Sequence, residues 1–545
     1  MKKIIILYAL ILLYCTKVNA QDIKWVYEFK GTNNLSIAKN TYKPPIIDNK
    51  GNSFVLLRIE DTLLINNQTI INDKKTCLVL VALDSNGVFK WTYTMKAGDQ
   101  LTIKDMITTS DGSVVLIGNY NSELKLSGGV KLDSLWYNNG FMIKIGANGN
   151  LIWSKNHKYA YGAEAKIASD KNGNLYVHLF KSTLGAIVND TALQKQQGVA
   201  IAKFDKSGVF IKMNTNTSIY TRIGNIAVSP DGNHLYIFNT LEPKENIQFG
   251  SFTLKDSTLK PIERDFYVAC ANSALDFVFL KRFSAKATYG IDELFYKSLC
   301  VDSKENLYFS HIFVGKLNIA GNNYNTIQHF PIWIKIDTIG NIVWAVTTKD
   351  STGLAGGSSN MGTTKDGNVY SCLIASGTYQ IGALNVSKTA YLNIYFDNNG
   401  YIYAAREFWG SPQHRINGLF ASDGENTYVL QIYDSVLFNQ KYYGNGADKM
   451  VFVKLANPNY NINLSKIQST KNFVIFPNPT CGSFTIAYNT LTPQKLPMSI
   501  YNTIGEQVYN TTWNNETSKT LDLSYLAKGI YFLRVGEETQ RVVIE

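Results

Sequence analysis

Two patterns of apolar and polar positions alternate along most of the chain. In the first pattern, a short apolar strand leads through a turn to a second strand that often carries Trp, as in "LVALDSNGVFKW" (Leu80–Trp91). The apolar strands of its seven copies end at Asp84, Gly146, Asp205, Asn272, Asp337, Asp397 and Ala456. Because the turn residues tolerate positive φ, each complete copy predicts a β-hairpin.

The second pattern also predicts a hairpin, as in "DKNGNLYVHLF" at Asp170. Its seven copies start at Asp48, Ser110, Asp170, Ser229, Asp302, Thr364 and Ser422. Together the patterns give four strands per roughly sixty residues. First-pattern strands such as "CLVLVAL" are apolar without alternation, which predicts burial on both faces. Four-stranded sheets that repeat radially and cover one another form a β-propeller, here with seven blades.

The first stretch of the predicted propeller, "IKWVYEF" (Ile23–Phe29), has the form of a second strand without its partner. The seventh apolar strand, Met450–Leu455, is followed by no Trp strand. We therefore expect Lys24–Phe29 to pair with Met450–Leu455, which closes the ring and removes an exposed strand edge. The alternative is a linear solenoid with both ends uncapped.

Residues 1–20 have the features of a signal peptide. Lys2 and Lys3 precede the apolar run Ile4–Leu13, and small residues end the segment at Val18–Ala20. Tyr14 stands before Cys15, where a lipoprotein signal requires a small residue. The run is too short to span a bilayer, and no later stretch is long enough, so we expect no transmembrane segment.

Composition adds limits on partners. The net charge of +11 includes Lys2, Lys3 and Lys17, and the remaining excess is scattered, which argues against a nucleic-acid partner. The remaining cysteines, Cys77, Cys270, Cys300, Cys372 and Cys481, show no CxxC spacing. Cys77 and Cys270 lie in apolar strands, where a free cysteine packs as a small hydrophobic residue.

Residues 457–470 are predicted to form a polar linker after a propeller of residues 21–456. Residues 471–545 show short alternating strands with frequent turns, which predict a small Ig-like β-sandwich. This segment resembles the type A sorting domain of the type IX secretion system of Bacteroidetes. The resemblance rests mainly on Pro477, Asn478, Pro479, Gly482, Tyr501, Asn502, Gly505, Gly529 and Tyr531.

The resemblance implies handling by the type IX secretion machinery and export across the outer membrane. The domain would then be removed, and the protein released or attached to surface lipopolysaccharide. Residues 22–456 resemble secreted bacterial β-propeller-repeat proteins, which is informative about fold but not about activity. We therefore expect a secreted or outer-surface location.

Candidate chemistry is sparse. The six histidines are spread along the chain, and no nucleophile, zinc or P-loop motif occurs, so we expect no enzyme, cofactor or metal site. Turns such as "DKNGN" mimic the start of a calcium loop but lack its later ligands. Ala82–Trp91 resembles the tryptophan-docking phrase of quinone-dependent dehydrogenases. Gly87, however, stands three residues after Asp84. In that family the Asp and the Gly are four residues apart, and Thr precedes the Gly.

One set of polar positions is a candidate site. Counting six residues back from the second-pattern turns gives polar residues in six of seven copies: Asp105, Lys166, Asn225, Ser298, Asn360 and Asn417. Apolar neighbours such as Met106 and Ile167 should face the other way on the pleat. We predict that this ring lines a central channel, either as a hydrated wall or as a site for a polar small molecule or a glycan end.

The sequence thus predicts a non-enzymatic binding or adhesion protein directed toward glycans or extracellular proteins. The alternative from another class is a lyase or hydrolase acting on extracellular polysaccharide. A structural surface protein without a specific ligand is a third possibility. A convergent acid/base pair at one mouth of the channel would favour the enzyme.

Overall fold

The computed structural model describes most of the chain outside its first 22 residues. The described ranges are 23–32, 35–36, 43–134, 139–157, 165–181, 187–188, 191–192, 198–215, 224–241, 245–255, 263–288, 298–319, 322–347, 354–363, 368–376, 379–381, 384–386, 390–408, 419–423, 426–432, 436–438, 441–443, 449–456, 473–476, 478–488, 495–503, 505–514, 518–536 and 538–545. The predicted signal peptide (1–20) and linker (457–470) lie outside them. Two compact units, Met1–Pro458 and Asn459–Glu545, divide the chain.

Described strands of the first unit form seven antiparallel groups of four, and within a group each strand hydrogen-bonds to the next. Group 1 contains Ile46–Ile47, Ser53–Ile59, Thr76–Leu83 and Phe89–Ala97. Group 2 contains Leu101–Thr108, Val114–Tyr120, Asn139–Ile145 and Leu151–His157. Group 3 contains Ala165–Ser169, Leu175–Lys181, Gly198–Phe204 and Phe210–Thr215. Group 4 contains Asn225–Val228, Leu235–Leu241, Glu263–Ala271 and Phe277–Thr288.

The remaining groups follow the same order. Group 5 contains Ser298–Val301, Leu307–Ile319, Asn322–Ile336 and Ile342–Thr347. Group 6 contains Leu354–Thr363, Val369–Ser376, Ala390–Phe396 and Ile402–Phe408. Group 7 contains Leu419–Ser422, Asn426–Ile432, Lys449–Ala456 and, from the other end of the unit, Ile23–Thr32.

The fourth strand of group 7 is the strand that the sequence predicted. Ile23–Thr32 runs antiparallel to Lys449–Ala456, with Trp25 opposite Lys454 and Phe29 opposite Met450. The predicted pairing is therefore confirmed. We call this pairing the clasp.

Short hairpins between the second and third strands were not predicted. They pair Thr62–Ile65 with Gln68–Ile71, Leu124–Leu126 with Lys131–Leu132, Ile187–Val188 with Thr191–Ala192, Asn246–Phe249 with Phe252–Lys255, Tyr379–Ile381 with Leu384–Val386, and Val436–Phe438 with Lys441–Tyr443. Two of them also bond to the fourth strand of the preceding group, with Leu64 opposite Lys30 and Leu124 opposite Ala97. Smaller elements are the strand Leu35–Ser36 and the 3₁₀ turn Ser127–Gly129.

Each group packs against the next, and we call these contacts seams. In group 1, every residue of Thr76–Leu83 is buried. Its odd-numbered side chains from Cys77 to Leu83 pack with group 7, and its even-numbered ones from Leu78 to Ala82 pack with group 2. The predicted burial on both faces is confirmed for this strand, because a neighbouring sheet covers each face.

Similar apolar clusters join groups 2 and 3, 3 and 4, and 4 and 5. Groups 5 and 6 share the Trp333–Phe396 ring contact, with centroids 5.1 Å apart. Between groups 6 and 7, the Tyr370 hydroxyl donates to the Ser422 carbonyl at 2.8 Å. The first strands lie beside one another in chain order, and the first strand of group 7 lies beside that of group 1.

The second unit is a β-sandwich. One sheet contains Phe473–Phe476, Ser483–Tyr488 and Ser518–Asp522. The other contains Gln507–Asn514, Lys495–Tyr501, Gly529–Val535 and Glu538–Ile544. Their inner faces share one apolar core. Both units are thus all-β, and no helix among the described residues has the length and hydropathy of a membrane span.

Candidate functional site

Aspartates in the second-pattern turns accept hydrogen bonds from their own turns. Asp48 Oδ1 accepts from the backbone N–H groups of Lys50 and Asn52 at 2.9 and 2.8 Å, and its Oδ2 accepts from the Asn52 amide at 2.7 Å. Asp170 and Asp302 make the same three bonds. This is turn chemistry. Across the described part of the chain, no cluster of three or more His, Cys, Asp or Glu is placed to hold a metal ion.

Tryptophans of the first pattern join neighbouring groups. The indole N–H groups of Trp25, Trp91, Trp153 and Trp344 donate to the carbonyls of Ser85, Ala147, Lys206 and Asn398 at 3.1, 2.9, 3.2 and 3.1 Å. Each acceptor lies in the first-pattern turn of the next group. Gly149 in one such turn has φ +84°, and a Cβ there would lie 2.6 Å from the Trp91 ring. The turn glycine therefore allows the ring to dock.

Lysines of the third strands make a second repeated contact. The ammonium groups of Lys203, Lys335 and Lys454 lie 5.2, 5.0 and 5.4 Å from the ring centroids of Tyr176, Tyr308 and Tyr428. Each also donates to a turn carbonyl of the next group, namely that of Ser273, Asn398 or Ser85. Each ammonium group thus contacts a tyrosine ring of its own group and hydrogen-bonds to the next group.

The predicted channel residues lie on first strands. Asp105 is half-buried, and its Oδ2 accepts from the backbone N–H of Ile167 in group 3 at 3.1 Å. Lys166 and Asn225 are also half-buried, on the first strands of groups 3 and 4. Ser298 and Asn360 lie on the first strands of groups 5 and 6, but their side chains, and the whole of Asn417, fall outside the described part. A channel-lining role stays a prediction.

A cleft of about 590 Å³ lies where groups 6, 7 and 1 meet. Its polar lining residues are Asp48, Asn49, Lys50, Ser85, Thr363, Tyr370, Ser422, Asp423, Asn426 and Lys454. Sequence reasoning missed this cleft because its lining comes from both ends of the first unit. The available signal was the clasp, which brings group 7 next to group 1.

The two carboxylates of the cleft are held by donors of the protein itself. Asp423 accepts from the backbone N–H of Asn426 at 2.6 Å and from the Tyr428 hydroxyl at 2.9 Å. Asp48 is fixed by the donors of its own turn. Asn49 and Lys50 are exposed at the rim. The cleft therefore offers fixed acceptors together with adaptable donors, which suits the binding of a polar molecule.

An acid/base cluster lies at the seam between groups 4 and 5. His234 Nδ1 is 2.6 Å from Glu305 Oε2. Glu305 has φ +66°, where the equivalent turn positions of groups 1 to 4 hold glycines with φ from +77° to +82°. Desolvation, followed by the hydrogen bond with Asp231, raises the pKa of Glu305. The pKa of Asp231 is lowered, mainly by the hydrogen bond from the backbone N–H of Asn233. Sequence reasoning missed this cluster because its members belong to different repeats.

In the second unit, the Asn478 side chain bonds to the last strand. Its Nδ2 donates to the Arg541 carbonyl at 2.7 Å, and its Oδ1 accepts from the Val543 N–H at 2.9 Å. Pro479 follows it through a cis peptide bond. Pro477 lies outside the described residues. Asn478 thus ties the turn after the first strand to the end of the chain.

Other residues of this pattern have local structural roles. Gly482 has φ +114°, and a Cβ there would lie 2.5 Å from Ser524 Cα. The backbone carbonyl of Asn502 accepts a hydrogen bond from the backbone N–H of Gly505 at 3.1 Å, in the turn after Tyr501. The Tyr531 hydroxyl donates to the Ala527 carbonyl at 2.7 Å. At Gly529 nothing lies within 4 Å of a Cβ, but its φ of +158° is a backbone conformation that residues with a side chain rarely adopt.

Comparison with known families and proteins covers both units. Residues 474–545 match the family described as "Secretion system C-terminal sorting domain". No curated protein matches the sequence.

Three solved structures illustrate the similarity over most of the chain. Prolyl oligopeptidase B from Galerina marginata has 8% identity and a TM-score of 0.38, covering 87% of this chain and 57% of that one. Synechocystis apocarotenoid oxygenase has 10% identity and a TM-score of 0.33, with coverages of 80% and 95%. A eukaryotic initiation factor has 10% identity and a TM-score of 0.31, with coverages of 90% and 97%. At such TM-scores, these similarities support no argument about fold or activity.

Proposed function

We propose that this chain, whose residues 474–545 are a type IX secretion sorting domain, presents a closed seven-bladed β-propeller outside the cell as a non-enzymatic binding module. The sorting domain makes the chain a secreted or surface-attached protein and makes the secretion machinery a partner. Surface lipopolysaccharide, glycans and extracellular proteins are the further partners that we propose.

The proposal of a closed propeller is supported by the seams and the clasp. Seven described groups contact one another in chain order, and the Lys454 ammonium of group 7 donates to the Ser85 carbonyl of group 1 at 2.9 Å. In a propeller, each sheet covers its neighbours and closure removes free edges. The seven groups are, on this proposal, its blades.

The cleft between groups 6, 7 and 1 is the observation that carries the binding proposal. Its lining combines carboxylates, amides, hydroxyls and two ammonium groups within about 590 Å³. A hydroxyl-rich ligand, such as the end of a carbohydrate chain, can donate to fixed acceptors like Asp423 and accept from Lys50 or Asn49. Since Asp48 and Asp423 already accept bonds from their own turns, they are suited to orienting a ligand rather than to accepting its proton.

A matched pair of variants tests this site. The group 1 turn Asp48–Asn52 and the group 3 turn Asp170–Asn174 make the same hydrogen bonds, but only the former lines the cleft. We expect Asn49→Ala with Lys50→Ala to weaken glycan binding by roughly tenfold or more. Lys171→Ala with Asn172→Ala should leave binding unchanged. Glycan-array screening followed by calorimetry on the exported chain measures both, and equal effects of the two pairs would contradict the assignment.

The acid/base cluster supports the alternative, a hydrolase or lyase acting on extracellular polysaccharide. Asp231 and Glu305 have pKa values moved in opposite directions, as in acid/base pairs of such enzymes. Incubating the exported chain with a polysaccharide panel tests this function. If the chain cleaves a polysaccharide and His234→Ala abolishes the cleavage, the enzyme proposal replaces the binding proposal. If the polysaccharides stay intact and the chain binds glycans, the binding proposal is supported.

A further inference from the structure

The four-stranded sheet of the second unit has apolar side chains on its outward face. Its inward residues Leu533 and Val535 are buried in the shared core. The alternating residues Ile530 and Phe532 point away from that core and are 41% and 38% exposed. The sandwich does not need them for its core, since the inward face alone packs against the other sheet.

Strand register collects these residues into one patch. Phe532 is paired with Tyr501 on one side and with Arg541 on the other, and Ile530 is paired with Val543. Directly paired residues lie on the same face of a sheet, so these side chains are neighbours. Arg534, two residues beyond Phe532, extends the same face. We call Tyr501, Ile530, Phe532 and Val543, with Arg534 and Arg541 at their border, the outer patch.

The other sheet differs in the outward side chains that are described. Ser483, Thr485, Thr520 and Asp522 alternate with the buried Phe484 and Leu521. The hydroxyls of Thr485 and Thr520 are 2.9 Å apart. Polar outward positions are the usual solution for a solvated sheet face. Among the described outward side chains of the two sheets, the exposed apolar ones therefore cluster in the outer patch.

We propose that the outer patch is the surface by which the sorting domain docks onto the protein of the secretion machinery that receives it. This occupant follows from the identity of the domain, which is recognised during export, and from the charge at its border. Two arginines next to exposed apolar and aromatic residues fit an apolar depression bordered by Asp or Glu side chains. The inference rests on the sorting-domain assignment and is independent of the proposed glycan binding.

Export from the producing organism tests the proposal. We expect Ile530→Thr with Phe532→Thr, which keeps residues favourable for strands, to lower the exported amount by roughly tenfold or more. Uncleaved chain should then accumulate inside the envelope. Thr485→Val with Thr520→Val on the other sheet is the matched control and should be exported normally. Unfolding midpoints of the purified full chains separate lost docking from lost folding.

A second variant keeps the test decisive if the first destabilises the domain. Arg534→Glu with Arg541→Glu reverses the border charge without touching the core, and it should also lower export. Normal export of either patch variant, or equal losses in the control, would overturn the proposal. A different outcome is that two copies of the chain cross-link through the outer patch while substitutions in the patch leave export unchanged. That result would assign the patch to self-association and overturn docking on the secretion machinery.

Discussion

The seam between groups 1 and 2 and the seam between groups 3 and 4 join neighbouring sheets with different residues. In the first, the Trp91 ring docks on Gly149 and its indole N–H donates to the Ala147 carbonyl. In the second, Lys212 stands seven residues after Asp205, as Trp91 does after Asp84. Its ammonium donates to the Ala274 carbonyl at 2.6 Å. An aromatic contact has thus been replaced by a polar one.

The turn that receives each contact differs accordingly. Leu275 occupies the position that Gly149 has in its own turn, with φ +61° and no exposed surface. It packs in the apolar cluster between groups 3 and 4. Where no ring presses on the turn, a side chain can fill the space, although leucine at positive φ costs roughly 1–2 kcal/mol. The glycine is therefore a requirement of the docked ring, not of the turn alone.

Group 6 offers a third case. Ala404 stands seven residues after Asp397, in the position that holds Trp91 in group 1. The next group has no first-pattern turn there, because Ile23–Thr32 comes from the other end of the unit. With no turn to receive an indole, tryptophan has no docking role at this position.

Trp91 and Lys212 should differ strongly in what their removal costs. Trp91→Ala removes a buried ring and should destabilise the first unit by about 3–5 kcal/mol. Lys212→Ala removes an exposed polar contact and should cost less than about 1 kcal/mol. Urea unfolding of both variants measures the difference. Equal losses would show that the two seams do not differ in this way.

Leu275→Gly tests whether the leucine fills the seam. The substitution relieves the strain at positive φ but empties a buried site, so a net loss of about 1–3 kcal/mol is expected. The same urea series measures it. A gain in stability would mean that strain outweighs packing at this turn.

Gly149→Ala should cost about 1–3 kcal/mol, because the new Cβ meets the Trp91 ring at a positive φ. If the ring is the cause, part of this cost disappears when Trp91 is already alanine. A double-mutant cycle should therefore give a coupling of at least about 0.5 kcal/mol. Strictly additive losses would leave backbone strain as the only reason for glycine.

A smaller effect is expected from pH at the seam between groups 4 and 5. Because the pKa of Glu305 is raised, the stability that its bound proton contributes is present at low pH and is lost as pH rises through that value. Glu305→Gln keeps the uncharged form, so it should gain a few tenths of a kcal/mol relative to the native chain between about pH 4.5 and pH 7. Asp231, with a lowered pKa, acts in the opposite sense, at lower pH. Urea midpoints across this range test it, and a constant difference would contradict the shift.

Strand positions, two-sided burial and the clasp could be predicted because each leaves a local signal of apolar runs and turn residues. The buried Cys77 and Cys270 likewise follow from their apolar strands, and burial raises the pKa of these thiols to about 11 and about 12. The small hairpins were missed because strands of two to four residues, such as Ile187–Val188, are too short to show periodicity.

The candidate sites depend on contacts that sequence spacing does not reveal. Lys454 and Ser85 meet in the cleft only because the clasp joins the ends of the first unit. Asp231 and Glu305 meet because equivalent turns of neighbouring groups lie together. Predicting either contact requires knowing which turns are neighbours in space, and the repeat pattern alone gives no side-chain direction at those turns.

The proposed closure of the ring and the cleft both depend on the clasp, and a disulfide across the clasp can establish whether it forms. In a chain with Cys481→Ser, Glu28→Cys and Val451→Cys place thiols on directly paired residues. The control pairs Glu28→Cys with Gln431→Cys, two strands apart and thus about 9–10 Å away. We predict spontaneous cross-linking of the first pair alone, seen as faster migration under non-reducing conditions. Absence of that cross-link in folded protein, or equal cross-linking in the control, would contradict closure of the ring by the N-terminal strand.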